Sequence, residues 1–166
     1  MLALGLVVIG VFSRFIFHFE NFTPVLAIAL FAGAYLPKRQ ALIVPLSLFI
    51  IADAFIGFHS LIAFTWGSMA LIAIIGMSLK GKKSWTKTAA GSLAGALTFF
   101  IITNFGVWAL FDTYPKSLTG LIECYTMAIP FFRNTLISTF LYTFVLFGGY
   151  ELLSVRLRGT RFASVL

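Results

Sequence analysis

The sequence predicts an all-α membrane protein, a six-transmembrane-helix bundle with both termini cytoplasmic, forming a single transmembrane domain over residues 1–166. Three observations carry that reading. The chain is 60% hydrophobic and 10% charged, whereas soluble domains carry about 25% charged residues. One core of this size could not hold so many apolar side chains, so a bilayer must solvate them. The apolar residues also fall into six stretches, with the charges collected between them. Finally, nine of the twelve Lys and Arg residues lie in segments that a six-span path places on one side, and positive loops stay cytoplasmic.

The first stretch covers residues 1–17. No positive segment precedes it and no small-residue cleavage site closes it before Arg14, so it is expected to be a retained span, not a signal peptide. A crossing helix needs about 20 residues, which makes this stretch barely long enough and the second, 22–36, short. Packing within a bundle would hold both. Thr23 before Pro24 reads as an N-cap with proline in the first helical position, where its missing N–H costs nothing. Pro37 ends the second stretch. The third, 41–58, holds Pro45 a turn inside, expected to kink it, and Gly57 closes it. Stretches four, five and six cover 61–79, 88–110 and 131–153. Residues 118–129 are too short to cross and are expected to form an outer re-entrant or surface segment, with Pro130 in the first turn of the last span. Gly91, Ser92, Gly95 and Ala96 make a small-residue face for close helix packing, and Ala29 with Gly33 make a weaker one.

Lys38, Arg39, Lys80, Lys82, Lys83, Lys87, Arg156, Arg158 and Arg161 fall on the inner side of this path, leaving Arg14, Lys116 and Arg133 outside. The net charge of +7 is therefore explained by topology, and no nucleic-acid partner is expected. Cys124 is the single cysteine, which excludes an internal disulfide. No metal-ligand spacing, HExxH, GxSxG or Walker loop is present, so neither metal, cofactor nor catalysis is expected, and the chain cannot drive transport with ATP by itself.

The same path gathers polar residues at the outer level. The candidate ligand-binding set is Arg14, His18, Asn21, Asp53, His59, Asn104, Trp108, Glu123, Tyr125, Arg133 and Asn134. Charges within or beside spans are costly and face a partner or a cavity. Arg133 and Asn134 are expected to turn inward, toward Asp53 and Asn104. Arg133 alternatively snorkels to headgroups or pairs with Glu123 or Asp112, and Asp53 alternatively pairs with Arg14 or Arg133 in a purely structural role. Asn104 is expected to hydrogen-bond across helices. Trp66, Trp85 and Trp108 are readable as aromatic-belt anchors. Asp53 and His59 could form an acid–base pair, but no nucleophile has an evident place beside them. An arginine near a helix N-terminus suits an anionic or zwitterionic metabolite.

The segment SRFIFHFENFTPVLAIALFAGAYL resembles the opening of a family of small uncharacterised bacterial membrane proteins, patterned roughly Arg…Pro-His…Pro-Asn-Phe-Thr-Pro. ADAFIG, TNFGVW, GLIECY and PFFRN resemble its later blocks, while Phe17 and Glu20 stand where that family tends to have prolines. The family is in turn similar to the substrate-binding S-components of energy-coupling factor (ECF) transporters. These are six-helix proteins with both termini inside and a chamber toward the outside, and they work with a transmembrane coupling subunit and two cytoplasmic ATPases. Here the first stretch lacks their Ala-xxx-Ala face, since Ala3, Gly5 and Gly10 are out of that register. The resemblance implies a multi-pass protein of the bacterial cytoplasmic (inner) membrane, a substrate-binding subunit for uptake of a small metabolite. The alternative is a non-catalytic accessory or structural subunit of a larger membrane complex.

The topology has a direct test. In a Cys124→Ala background, Lys82→Cys and Lys116→Cys are expected to react with impermeant maleimide from opposite faces of the membrane. Labelling from one face would refute the six-span path.

Overall fold

The run VLAIALFAGAY between Pro24 and Leu36 holds no charged residue and is apolar on every side. A helix apolar all round belongs in an interior, not at a surface. In the computed structural model, which describes residues 2–16, 21–81 and 84–156, that run is α2 (Val25–Tyr35), and all its residues from Val25 to Ala34 are buried. Around it stand α1 (Leu2–Ile16), α3 (Lys38–Ile56), α4 (Ile62–Met77), α5 (Trp85–Leu110) and α6 (Leu118–Arg156). The described residues thus form six helices and no strand. Three of them, α3, α5 and α6, are long and apolar enough to cross a membrane, while α1, α2 and α4 are shorter apolar helices.

α2 packs most extensively on α4 and also meets α1, α3, α5 and α6. The α2–α4 contact is a glycine contact. A Cβ on Gly33 would run into the Ala73 carbonyl oxygen, and one on Gly76 would run into the Leu30 carbonyl oxygen. The two backbones touch, an approach that small residues allow and that gains dispersion contacts along the helix pair. The small face of α5 serves the same bundle: Gly91, Ser92, Gly95 and Ala96 are buried, Gly91 against Leu79 and Leu30 and Gly95 against Ile72.

The helix ends follow local rules in part. Gly57 closes α3 at φ 115°, a conformation that L side chains rarely adopt, and its N–H donates to the Asp53 carbonyl at 2.8 Å. Pro37 separates α2 from α3, and Pro45 lies inside α3. Ser84 caps α5 by accepting from the Lys87 N–H, which starts that helix three residues earlier than the hydropathy predicts. Thr23 does not cap α2. Pro24 occupies the cap position with no side-chain hydrogen bond, and Thr23 turns to a cavity instead.

The largest departure lies in α6. The expected outer segment 118–129 and last span 131–153 are one continuous helix of 39 residues, with Pro130 inside it and not in a first turn. An interior proline removes one backbone bond and costs about 3 kcal/mol in isolation. Docking on α5 spans that break. Tyr125 and Phe132, on either side of Pro130, both pack on Phe100 with ring centroids 5.5 and 4.6 Å away, and the Tyr125 hydroxyl donates to the Ile101 carbonyl at 2.8 Å.

The glycine contact predicts a sharp contrast among glycines. Gly33→Val and Gly76→Val should each destabilise the fold by about 3 kcal/mol, since overpacking forces backbones apart. Gly5→Ala and Gly67→Ala, where a Cβ meets nothing within 4 Å, should stabilise by about 0.5 kcal/mol through helix propensity. Thermal unfolding in a mild detergent measures both.

Candidate functional site

Asp53 sits one turn before the end of α3, where the partial negative charge of the helix C-terminus disfavours a carboxylate. It is also 1% exposed, so its charge needs partners. Three arrive from neighbouring elements. Arg14, near the end of α1, donates from Nη1 to Oδ1 at 2.6 Å. Trp66, in the second turn of α4, donates from Nε1 to Oδ2 at 2.9 Å. His59, in the α3–α4 turn, brings Nε2 to 3.8 Å from the same oxygen. His59 Nδ1 accepts from the Leu61 N–H at 3.2 Å, so the neutral ring carries its proton on Nε2, toward Asp53. One turn earlier on α3, the buried Phe49 ring lies 4.5 Å from the Arg14 guanidinium carbon, a cation–π contact that helps hold the cation at the edge of the core.

In front of this cluster lies a cavity of about 180 Å³, walled by Arg14, His59, Asn21, Thr23, Thr65 and Thr135 over an apolar floor that includes Phe49 and Phe99. Asn21 has φ 57°, which asparagine tolerates better than most residues, and its carbonyl accepts from Ser138 on α6 at 3.3 Å. Thr65 and Thr135 donate their hydroxyls to carbonyls of their own helices, so toward the cavity their oxygens are left only to accept. The wall therefore offers guanidinium N–H groups, an imidazole, an amide and hydroxyl oxygens within one small volume.

The structure divides the predicted residues. Arg14, Asn21, Asp53 and His59 come together here; His18 lies outside the described residues. Asn104, Trp108 and Tyr125 belong to the α5–α6 pair. The Asn104 side-chain amide does not bond across helices: its Nδ2 donates to the Phe100 carbonyl one turn back on its own helix at 2.8 Å, and it is the Asn104 backbone carbonyl that accepts from Cys124 Sγ on α6 at 3.5 Å. Trp108 donates to the Pro115 carbonyl at 2.9 Å, tying down the loop. Glu123 is exposed.

Arg133 is exposed and makes no ion pair among the described residues, so it does not meet Asp53. The reason is helical phase. α6 buries Thr135, Ser138 and Thr139, and two positions along a helix rotate a side chain by roughly 200°, so Arg133 faces away from Thr135. Asn134 is half-buried beside that buried face. The sequence reading missed Trp66, Thr65, Thr135 and Phe49. Trp66 was legible in principle: Asp53 lies four residues before Gly57, and a hairpin turned there brings the start of α4 level with it. Among the described residues no group of His, Cys, Asp and Glu could hold a metal ion.

A family model matches residues 1–161. The chain belongs to that family, a family of unknown function (DUF6580). Membership of a family without an assigned function agrees with the sequence expectation. No curated protein and no solved structure matches the chain.

The Asp53 cluster predicts a characteristic pattern of stabilities. Arg14→Leu should destabilise by about 3 kcal/mol, because it leaves a buried carboxylate without its charge partner. Arg14→Leu with Asp53→Leu should recover most of that loss. Thermal unfolding of both single variants and the double variant decides it, and a double-variant loss equal to the sum of the two single losses would show that the pair is not coupled.

Proposed function

We propose that this chain is an integral membrane substrate-binding subunit for uptake of a small anionic or zwitterionic metabolite, similar in kind to an ECF S-component. In this reading all six helices pack as a bundle in the bacterial cytoplasmic membrane with both termini inside. Transport is powered by a transmembrane coupling subunit with its ATPases, since the chain itself carries no phosphate-binding loop. The cavity beside Arg14 carries the proposal. Its volume of about 180 Å³ corresponds to roughly six waters at about 30 Å³ each, which limits the ligand to a small metabolite. Arg14 engages Asp53 through Nη1, and its other N–H groups suit a ligand carboxylate in fork geometry. Asp53 makes the guanidinium's local charge close to balanced, which favours a zwitterion or a single anion over a polyanion.

The charge distribution along the bundle supports the orientation. Lys38, Arg39, Lys80, Lys87 and Arg156 sit at the starts of α3 and α5 and the ends of α4 and α6, one end of an antiparallel bundle. The cavity lies at the other end. Along α6, Arg133 and Arg156 stand about 35 Å apart at 1.5 Å per residue, close to a hydrocarbon thickness of about 30 Å. Both arginines would then reach headgroups, with residues 118–130 extending beyond.

One observation favours a second reading, an accessory subunit of a larger membrane complex. The Asp53 carboxylate already has Arg14 and Trp66 as partners, so the cluster is also a self-sufficient structural lock.

Native mass spectrometry of the protein released from mild detergent separates the two. The transport reading expects a bound small molecule whose retention falls about tenfold, or 1.4 kcal/mol, in His59→Ala. The His59 side chain is 38% exposed and Asp53 keeps Arg14 and Trp66 as partners, so that variant should lose far less melting temperature than Arg14→Leu. Polypeptide partners with no small molecule would favour the accessory reading.

A further inference from the structure

A second, larger cavity of about 510 Å³ opens at the opposite end of α2. Rings from three helices line it: Tyr35 of α2, Trp85 of α5 and Phe147 of α6. Tyr35 and Phe147 pack on each other with centroids 5.2 Å apart. Lys80 and Glu151 also stand in this wall. Glu151 is engaged: its Oε1 accepts from the Tyr35 hydroxyl at 2.9 Å, and that is not its only contact. It therefore offers nothing to a ligand.

What the wall has left over is rich in donors. Lys80 gives one of its three N–H groups to the Leu36 carbonyl, at 3.2 Å. Ser84 Oγ accepts from the Lys87 N–H, which leaves its own proton to give. The Trp85 indole N–H makes no hydrogen bond among the described residues. Thr88 has already spent its proton on the Ser84 carbonyl, at 3.1 Å. A ligand that satisfies this wall brings acceptors.

We propose that this cavity binds an uncharged, ring-bearing amphiphile of the quinone class, its carbonyl oxygens accepting from Lys80 and Trp85. Charge selects against the alternatives. A cation would meet the Lys80 ammonium. An anion would set a second negative charge beside the Glu151 carboxylate, whatever else touches it. A quinone is flat, carries acceptors on opposite sides and has no donor, and aromatic side chains stack on such a ring. The volume lies within the range of roughly 300–1,000 Å³ typical of small-molecule sites. The way out toward lipid is apolar. Trp85 is half exposed and packs on Phe144 at 5.4 Å, and Phe144, Leu141 and Val145 are exposed on α6, a path for an apolar tail. The proposal shares with the transport reading only the placement in a bilayer. It uses none of the residues around Arg14, so either can fail alone.

The test is tryptophan fluorescence of the purified protein in dodecyl maltoside, titrated with decylubiquinone. Wild type is expected to show saturable quenching, because a quinone bound at Trp85 quenches that indole. Trp85→Phe should leave only the linear, collisional quenching of Trp66 and Trp108. Lys80→Met, at an exposed position, should weaken binding about tenfold through the loss of one donor. Decanoate and decyltrimethylammonium, which carry the same length of tail on a charge, should not displace the quinone at equal concentration. Linear quenching of wild type would overturn the proposal, and that measurement needs no variant to fold. Displacement by either charged amphiphile would overturn the assignment of an uncharged ligand. Unchanged affinity in Lys80→Met would overturn the placing of a carbonyl at Lys80.

Discussion

The close approach of α2 and α4 at Gly33 and Gly76 governs the rest of the architecture. Because neither position has a Cβ, Ala73 and Leu30 present their carbonyl oxygens where a side chain would otherwise stand. α2 can then lie inside the bundle, enclosed by the other helices, and its own sequence needs no polar face. Burying a run of leucine, isoleucine, valine and phenylalanine side chains contributes about 1.5–3 kcal/mol each relative to exposing them to water. In a chain with lipid-facing surface, that gain at the centre comes chiefly from close packing.

A wholly apolar helix positions its neighbours in depth but carries no directional contacts. The Asp53 cluster supplies direction. One carboxylate binds α1 through Arg14, the α3–α4 turn through His59 and α4 through Trp66. α1 packs chiefly on α3, so the Arg14 contact and the Phe49 ring beneath it fix its register there. Buried ion pairs are weak sources of net stability but effective selectors of one arrangement. Here the selected arrangement also opens the small cavity whose wall includes Arg14 and His59.

Much of this was legible in the residues. Pro37 and Gly57 mark real helix boundaries, the glycines of α2 and α5 mark real close contacts, and the pairing of Asp53 with Arg14 was among the alternatives that the charge pattern left open. What failed depended on helical phase and tertiary support. Placing Arg133 against Asp53 required knowing which side of α6 turns inward, and Thr135, Ser138 and Thr139 set that side without a strong hydrophobic signal. Pro130 reads as a helix start by local rules, yet the rings of Tyr125 and Phe132 on Phe100 carry the helix through it. Asn104 illustrates the same limit: its amide bonds within its own helix, an option no spacing rule distinguishes from a cross-helix bond. Trp66 looked like a membrane-belt residue because its carboxylate partner lies across a turn.

The shortness of α2 has an electrical consequence. Its 11 residues span about 16 Å at 1.5 Å each, and the two cavities open at its opposite ends. In a bilayer with a hydrocarbon thickness of about 30 Å, water or ions entering both cavities would leave an insulating septum only about half as thick as the surrounding lipid. The membrane potential, worth about 2.3 kcal/mol per elementary charge at 100 mV, would then fall across that septum with roughly double the usual gradient. Arg14 and Glu151 line the cavities on either side of it, so their charges would sit where that steepened field begins.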